Sequence, residues 1–433
     1  MVPPRQPSRY SSEPACARSW PRRCGRTFAD RRRWPMNASE HSTSLVWDEA
    51  LAEYDFGPGH PLAPIRVQLA MRLIRAFGLD RELTMLGPLV PAQDELISRV
   101  HDGAYIDAVK AAGGVPPIAD PARGLGTSDD PLFVDMHRAS ARVCAATLAA
   151  AQAVWRGESA HGVNIAGGLH HAMRDRAAGF CIYNDLAVAI AWLLDNGAER
   201  VAYVDLDVHH GDGVQSIFWD DPRVLTISIH ESPQTLFPGT GLPSEIGGPS
   251  ALGSAVNIAL PAGTGDQGWL RALHGVVPEL LEAFAPDVVV SQNGVDSHAE
   301  DPLAHLALSV DGQRLGFAAV HSWAHSFAHG RLVAAGGGGY EWVDVVPRAW
   351  THLVAEVSGR RLDPESDVPP EYREYVHEAM GRSGPFRMTD GQTPWPRPLI
   401  QGWNPSDPLD AAILATRESV FGFHGLDPDP EGW

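Results

Sequence analysis

A chain of 433 residues with 44% apolar side chains can bury one large core or two ordinary ones, and its formal charge of −19 argues against nucleic acid or an anionic membrane as partner, because an acidic surface repels phosphate. No stretch of about 18 uninterrupted apolar residues is present to span a bilayer. Cys16, Cys24, Cys144 and Cys181 lack the spacing of a disulfide framework or a thiolate zinc site, so a reducing cytoplasm is the expected compartment and basic, lysine-bearing molecules are the expected ligands.

Residues 1–35 carry nine Arg against two acidic residues, with no apolar periodicity, and read as a disordered extension or a misassigned start ahead of Met36. Residues 36–433 read as one elaborated domain. Gly57-Pro58-Gly59-His60-Pro61 is a turn in which His60 is structural. From about residue 43, short apolar runs alternate with longer helical ones, the signature of α/β architecture with a mainly parallel sheet. In chain order the pattern predicts a helix over 135–155, a strand over 162–166, a helix over 185–196 closed by Gly197, and strands over 200–206 and 224–230. A Gly- and Pro-rich loop over 237–253 is long enough to wall a pocket. A helix over 268–284 follows, with Trp269, Leu273, Val276, Val277, Leu280 and Phe284 on one face. Next come a strand over 287–292, a helix over 311–328 and a strand over 331–335. From about Leu362 the tail reads as irregular until a final helix over 407–420. His321, His325 and His329 repeat every four residues and are expected to line one helix face as partly exposed packing rather than as ligands.

Four motifs close strands or open loops: Gly167-Gly168-Leu169-His170-His171, Asp205-Leu206-Asp207-Val208-His209-His210-Gly211-Asp212-Gly213, Gln292-Asn293-Gly294-Val295-Asp296, and Gly336-Gly337-Gly338-Gly339-Tyr340. Ligands collect at the carboxyl ends of strands in open α/β sheets. Side chains two apart on a strand point the same way, so Asp205, Asp207 and His209 should share one volume. Asp207, His209 and Asp296 supply two oxygens and one nitrogen, a set that suits Zn(II), Fe(II) or Co(II) and leaves room for water and substrate. His170 and His171 are placed to take a proton from an attacking water, with Asp205 and Asp212 available to orient them. Tyr340 can hydrogen-bond a developing oxyanion. A His-His pair or a glycine run alone is commonly decoration, but burying the charges of the Asp205–Asp212 string without a metal is costly.

In combination these motifs resemble the zinc-dependent histone deacetylase family, of the bacterial acetoin utilization type, from Tyr54-Asp55-Phe56-Gly57-Pro58-Gly59-His60-Pro61 to near Trp403. The resemblance implies the arginase/deacetylase fold, a parallel sheet of about eight strands flanked by helices. It implies a catalytic metal on Asp207, His209 and Asp296, with His170 paired to Asp205 and His171, the main general base and acid, paired to Asp212. Tyr340 would polarise the acetyl carbonyl. Gly179, Phe180, Phe237 and Gly338 would line the acyl-lysine stem, and Asp129, or its neighbour Asp130, would hold the substrate backbone. Potassium is implied near Asp205, Asp207, His209 and Ser228, with a second site near Phe218 and Val224. The leading substrate is acetyl-lysine in a protein, such as the metabolic enzyme acetyl-CoA synthetase; a small acetylated polyamine or a noncatalytic acyl-lysine reader are the alternatives. Oligomeric state is left open.

Overall fold

Short runs rich in small and β-branched residues form an eight-stranded sheet in the computed structural model, which describes residues 42–360 and 362–430. The strands are β1 (Thr43–Val46), β2 (Thr84–Leu86), β3 (His161–Asn164), β4 (Val201–Asp205), β5 (Val224–Glu231), β6 (Ala255–Leu260), β7 (Val288–Gln292) and β8 (Leu332–Ala335). All seven neighbour pairings are parallel. All strands but the edge strand β2 are buried almost throughout, which is why they read as continuous apolar runs rather than as alternation.

The helices are α1 (Ile65–Ala76), α2 (Asp94–Ile97), α3 (Gly103–Ala112), α4 (Met136–Trp155), α5 (Asp185–Asp195), α6 (Asp212–Ile217), α7 (Asp266–Phe284), α8 (Val310–Phe327), α9 (Val346–Val357), α10 (Pro370–Met380) and α11 (Pro408–Val420). They form two files over the sheet: α3, α4, α5 and α6 in one, and α10, α1, α9, α8, α7 and α11 in the other. Parallel neighbours require such crossovers, and covering both faces explains the buried strands.

The strand order is β2-β1-β3-β8-β7-β4-β5-β6. The four strands that precede the four motifs, β3, β8, β7 and β4, are therefore consecutive in the middle of the sheet. Their carboxyl ends deliver the motifs to one place although up to about 170 residues separate them in sequence.

The expected strands and helices are all present, with ends shifted by one or two residues. Three strands lay outside the expectation. β1 and β2 are too short to show a period, and β6 sits behind the long glycine-rich loop. The tail is less irregular than expected, because α10 interrupts it. Tyr372 and Val376 of α10 seal against Leu69, Leu73, Val343 and Met388, a contact too sparse to leave a visible stripe. His329 does not continue the α8 face, since the helix ends at Phe327 and His329 adopts a left-handed φ of 57°. Cys144 and Cys181 are buried free thiols. Residues 1–35, with Cys16 and Cys24, lie outside the described residues.

Candidate active site

Strand β4 ends at Asp205, so the alternation expected to carry Asp205, Asp207 and His209 to one face stops before His209. Side-chain bonds to the backbone complete the gathering. Asp205 Oδ1 accepts from the N–H of Asp207 at 3.2 Å, and Asp207 Oδ1 from the N–H of His209 at 3.0 Å. His209 Nδ1 then lies 3.1 Å from Asp207 Oδ1 and 3.2 Å from Asp296 Oδ2. The ligand atoms of these three residues fall within 4.8 Å of one another. Asp207 Oδ2 is anchored by Gln292 Nε2 at 2.6 Å and the Gly338 N–H at 2.8 Å, and Asp296 Oδ1 by the Val208 N–H at 3.0 Å. A side chain at Gly338 would collide with Asp296 Oδ2, so glycine is needed for this close approach.

Asp207 and Asp296 are each 1% exposed. Burial, and then the charge of Asp207, push the Asp296 carboxyl up to about 7. Burial works against charge on His209, yet its bonds to Asp207 and Asp296 push it up to about 10. Two buried carboxylates contending for one imidazole are a donor set that a divalent cation would neutralise, and oxygen and nitrogen donors in this number fit Zn(II), Fe(II) or Co(II).

The loop after β3 is shaped by the start of α5. The Asp185 carboxylate accepts from the N–H groups of Gly168 at 3.0 Å and Leu169 at 2.8 Å, while Asn184 donates to the carbonyls of His170 at 3.2 Å and Ala172 at 3.1 Å. Both imidazoles are thereby turned toward β4. His170 Nδ1 donates to Asp205 Oδ2 at 2.8 Å, and His171 Nδ1 to Asp212 Oδ1 at 2.7 Å. Their Nε2 atoms converge to 3.0 Å. Tyr203 adds its hydroxyl to Asp205 Oδ2 at 2.5 Å. Burial disfavours charge on both rings, but the carboxylates of Asp205 and Asp207 push His170 up to about 9. Burial and the adjacent His170 instead pull His171 down to about 4, despite Asp212. The two neighbouring rings are thus pushed in opposite directions, His170 toward its charged form and His171 toward its neutral one.

Tyr340 is fixed through its backbone, whose N–H donates to Asp301 Oδ2 at 2.7 Å. Arg66 of α1 braces the glycine run, donating from Nη2 to the Gly337 carbonyl at 2.5 Å with its guanidinium 5.4 Å from the Tyr340 ring centre. Burial, and then the charges of Asp296 and Asp207, hold the Tyr340 phenol well above its ordinary range, so it remains a donor. Phe180 packs edge-on to Tyr340 at 5.8 Å, and Phe237, 46% exposed, packs edge-on to His171 at 5.0 Å. Gly179 and Phe180 both take left-handed φ, 54° and 69°, and a side chain at Gly179 would press on the His171 ring.

Asp129 is exposed and its carbonyl accepts from His60 Nε2 at 3.0 Å, while the His60 ring stands edge-on to Phe180 at 4.6 Å. Asp130 is 1% exposed, and burial, then the Asp129 charge, push it up to about 8. Of the two, Asp129 offers a carboxylate to solvent. Among the residues singled out for potassium, Asp205 pairs in register with Ser228 across β4 and β5, beside Asp207 and His209. Phe218 and Val224 lie apart from these, at the end of α6 and the start of β5, joined through Asp221, whose N–H donates to the Phe218 carbonyl at 3.0 Å and whose carbonyl accepts from the Val224 N–H at 3.1 Å.

Arg66, Tyr203, Asp185 and Asp301 were not singled out from the sequence. Arg66 left one signal: it shares a face with Leu69, Ala70 and Leu73 at steps of three, four and seven, a buried cation on an apolar stripe.

A family model described as "Histone deacetylase domain" matches residues 60–357, a span that holds all four motifs. The chain belongs to the histone deacetylase family. Within it the chain is of the AcuC type. Acetoin utilization protein AcuC of Bacillus subtilis (strain 168) is 41% identical over 330 residues, 76% of this chain and 84% of that protein. The AcuC of Staphylococcus xylosus is 34% identical over 339 residues, 78% and 88% of the two chains. Among solved structures, the crystal structure of an HDAC homolog complexed with SAHA matches with a TM-score of 0.73 at 29% identity, covering 87% of this chain and 100% of that one. The sheet is accordingly that of the arginase/deacetylase fold, and the chain is a deacetylase-type hydrolase. Among the described residues no helix is long and apolar enough to cross a membrane.

Proposed function

We propose that this AcuC-type deacetylase hydrolyses the amide of acetyl-lysine in proteins, with Zn(II) as its metal and Fe(II) or Co(II) workable in the same donor set. The observation that carries the reading is the convergence of His170 and His171, each backed by its own carboxylate, to 3.0 Å at Nε2 beside the Asp207, His209 and Asp296 cluster. A divalent cation held by those three residues would polarise the acetyl carbonyl and acidify a water. His171, the ring pushed toward its neutral form, accepts the water's proton as the oxygen adds to the carbonyl carbon, and Asp212 stabilises the imidazolium that results. The same nitrogen returns a proton to the lysine nitrogen as the C–N bond breaks, giving acetate and a free amine. His170, held charged by Asp205, supplies positive potential, and the Tyr340 hydroxyl donates to the carbonyl oxygen as it becomes negative. Phe180 and Phe237, with Gly179 and Gly338 beside them, border the path of the lysine stem, and Asp129 accepts from the substrate backbone. K+ at Asp205, Asp207, His209 and Ser228 would be a structural ion.

The net charge of −19 supports a basic, lysine-bearing substrate such as a segment of an acetylated metabolic enzyme, acetyl-CoA synthetase being one. Acetate release from an acetyl-lysine peptide and from an acetylpolyamine, on Zn(II)-loaded protein with and without chelator, tests this. Chelator-sensitive peptide turnover is expected. Polyamine turnover alone would move the substrate to small amines, and no turnover of either would favour a reader.

A further inference from the structure

His161 opens β3 at its amino end, the sheet edge opposite the active site. His321 and His325 occupy successive turns of α8 and face it. His325 Nε2 lies 3.2 Å from His161 Nε2 and 3.1 Å from His321 Nε2. The rings are edge-on, with centres 4.6, 5.1 and 4.8 Å apart and planes at 66° to 89°, so they point nitrogens at a common centre rather than stack. Ligand atoms of all three fall within 4.8 Å of one another. A tetrahedral zinc with Zn–N of about 2.05 Å separates its nitrogens by about 3.3 Å, close to both measured spacings.

The tautomer of His161 suits a ligand. The Thr43 hydroxyl donates its one proton to the Val357 carbonyl at 3.3 Å and lies 3.2 Å from His161 Nδ1. Where the hydroxyl accepts from that ring, the proton of the neutral imidazole sits on Nδ1 and its Nε2 faces the other two rings. His325 Nε2 faces both other rings, at 3.2 and 3.1 Å, as ligands of one ion would. A cation accepts three lone pairs together.

We propose that His161, His321 and His325 form a second metal site, separate from the Asp207, His209 and Asp296 cluster, for a late first-row divalent ion such as Zn(II). Three imidazoles fit that class of ion. The ion clamps β3 to α8, elements about 146 residues apart in sequence, and stabilises the folded chain because the unfolded chain does not present the three rings together. Two of the three histidines singled out in the sequence as packing, His321 and His325, are then ligands, completed by His161 from a strand.

The test is metal content after equilibrium dialysis against buffered Zn(II), measured by atomic emission, with thermal denaturation in parallel. His325→Gln is expected to bind one equivalent less than the wild type, to lose part of the Zn(II)-dependent rise in Tm, and to retain acetate release. His321→Gln, at a partly exposed position, is expected to lose the same equivalent and serves if the first variant folds poorly. His325→Gln combined with Asp296→Ala is expected to lose two equivalents, so failure of either site is seen independently. Metal content equal to the wild type in both single glutamine variants would overturn the proposal.

Discussion

At the carboxyl edge of the sheet, His170 and His171 each rest Nδ1 on a buried aspartate; at the amino edge, His161 rests Nδ1 on the Thr43 hydroxyl and meets two further imidazoles. The side chain is the same and its tuning is opposite. A carboxylate lets a ring gain and hold a proton, which general acid and base chemistry requires, whereas a hydroxyl fixes the tautomer without adding charge, which suffices for a static ligand. The partner of Nδ1 thus differs between the two edges, a carboxylate at one and a hydroxyl at the other.

The largest effect should come from Asp296→Ala, which removes an oxygen ligand at the carboxyl edge. Metal affinity should fall there, with kcat/KM down by about 10³-fold or more. Unchanged metal stoichiometry would remove Asp296 from the ligand set. Tyr340→Phe should lower kcat by about 10²-fold with metal content intact, since only the oxyanion donor is lost. Normal turnover of that variant would contradict the role given to the phenol. Arg66→Met should reduce kcat by roughly 30-fold with little change in KM, because the Gly337 carbonyl loses its anchor and Tyr340 its brace. A change confined to KM would instead mean that Arg66 serves binding.

The smallest effect concerns histidines bonded to the backbone. His101 Nε2 accepts from the Asn184 N–H at 3.0 Å and His352 Nε2 donates to the Met388 carbonyl at 3.1 Å; burial pulls both down to about 4, below the ordinary 6.5. The unfolded chain binds protons at these rings first as pH falls. Their contribution to stability is therefore full above pH 6.5 and is lost between about 6.5 and 4, at about 1 kcal/mol each by pH 5.5. Denaturation midpoints at pH 7 and 5.5, for wild type and His352→Gln, measure it. A pH slope undiminished in the variant would mean that other groups set it.

The carboxyl edge was legible in the sequence because each of its motifs is a contiguous string placed directly after a strand visible as a short apolar run. Asp207, His209, Asp296 and the His170 and His171 pair could be named from the strings alone. The amino edge was not. His321 and His325 were visible as an i, i+4 pair, but His161 belongs to a strand 160 residues earlier, and no local pattern joins the two. Arg66 was hidden for the same reason: its acceptor, the Gly337 carbonyl, is 271 residues away. The strands β1 and β2, of four and three residues, are too short to carry a signal.

The most direct measurement is acetate release from an acetyl-lysine peptide by protein stripped of metal and then titrated with Zn(II), wild type beside Asp296→Ala and His325→Gln. Activity restored by Zn(II) in the wild type and in His325→Gln, and absent throughout in Asp296→Ala, is the predicted result. Full activity in metal-stripped protein, or restoration in Asp296→Ala equal to that of the wild type, would contradict a hydrolytic metal centre at the carboxyl edge.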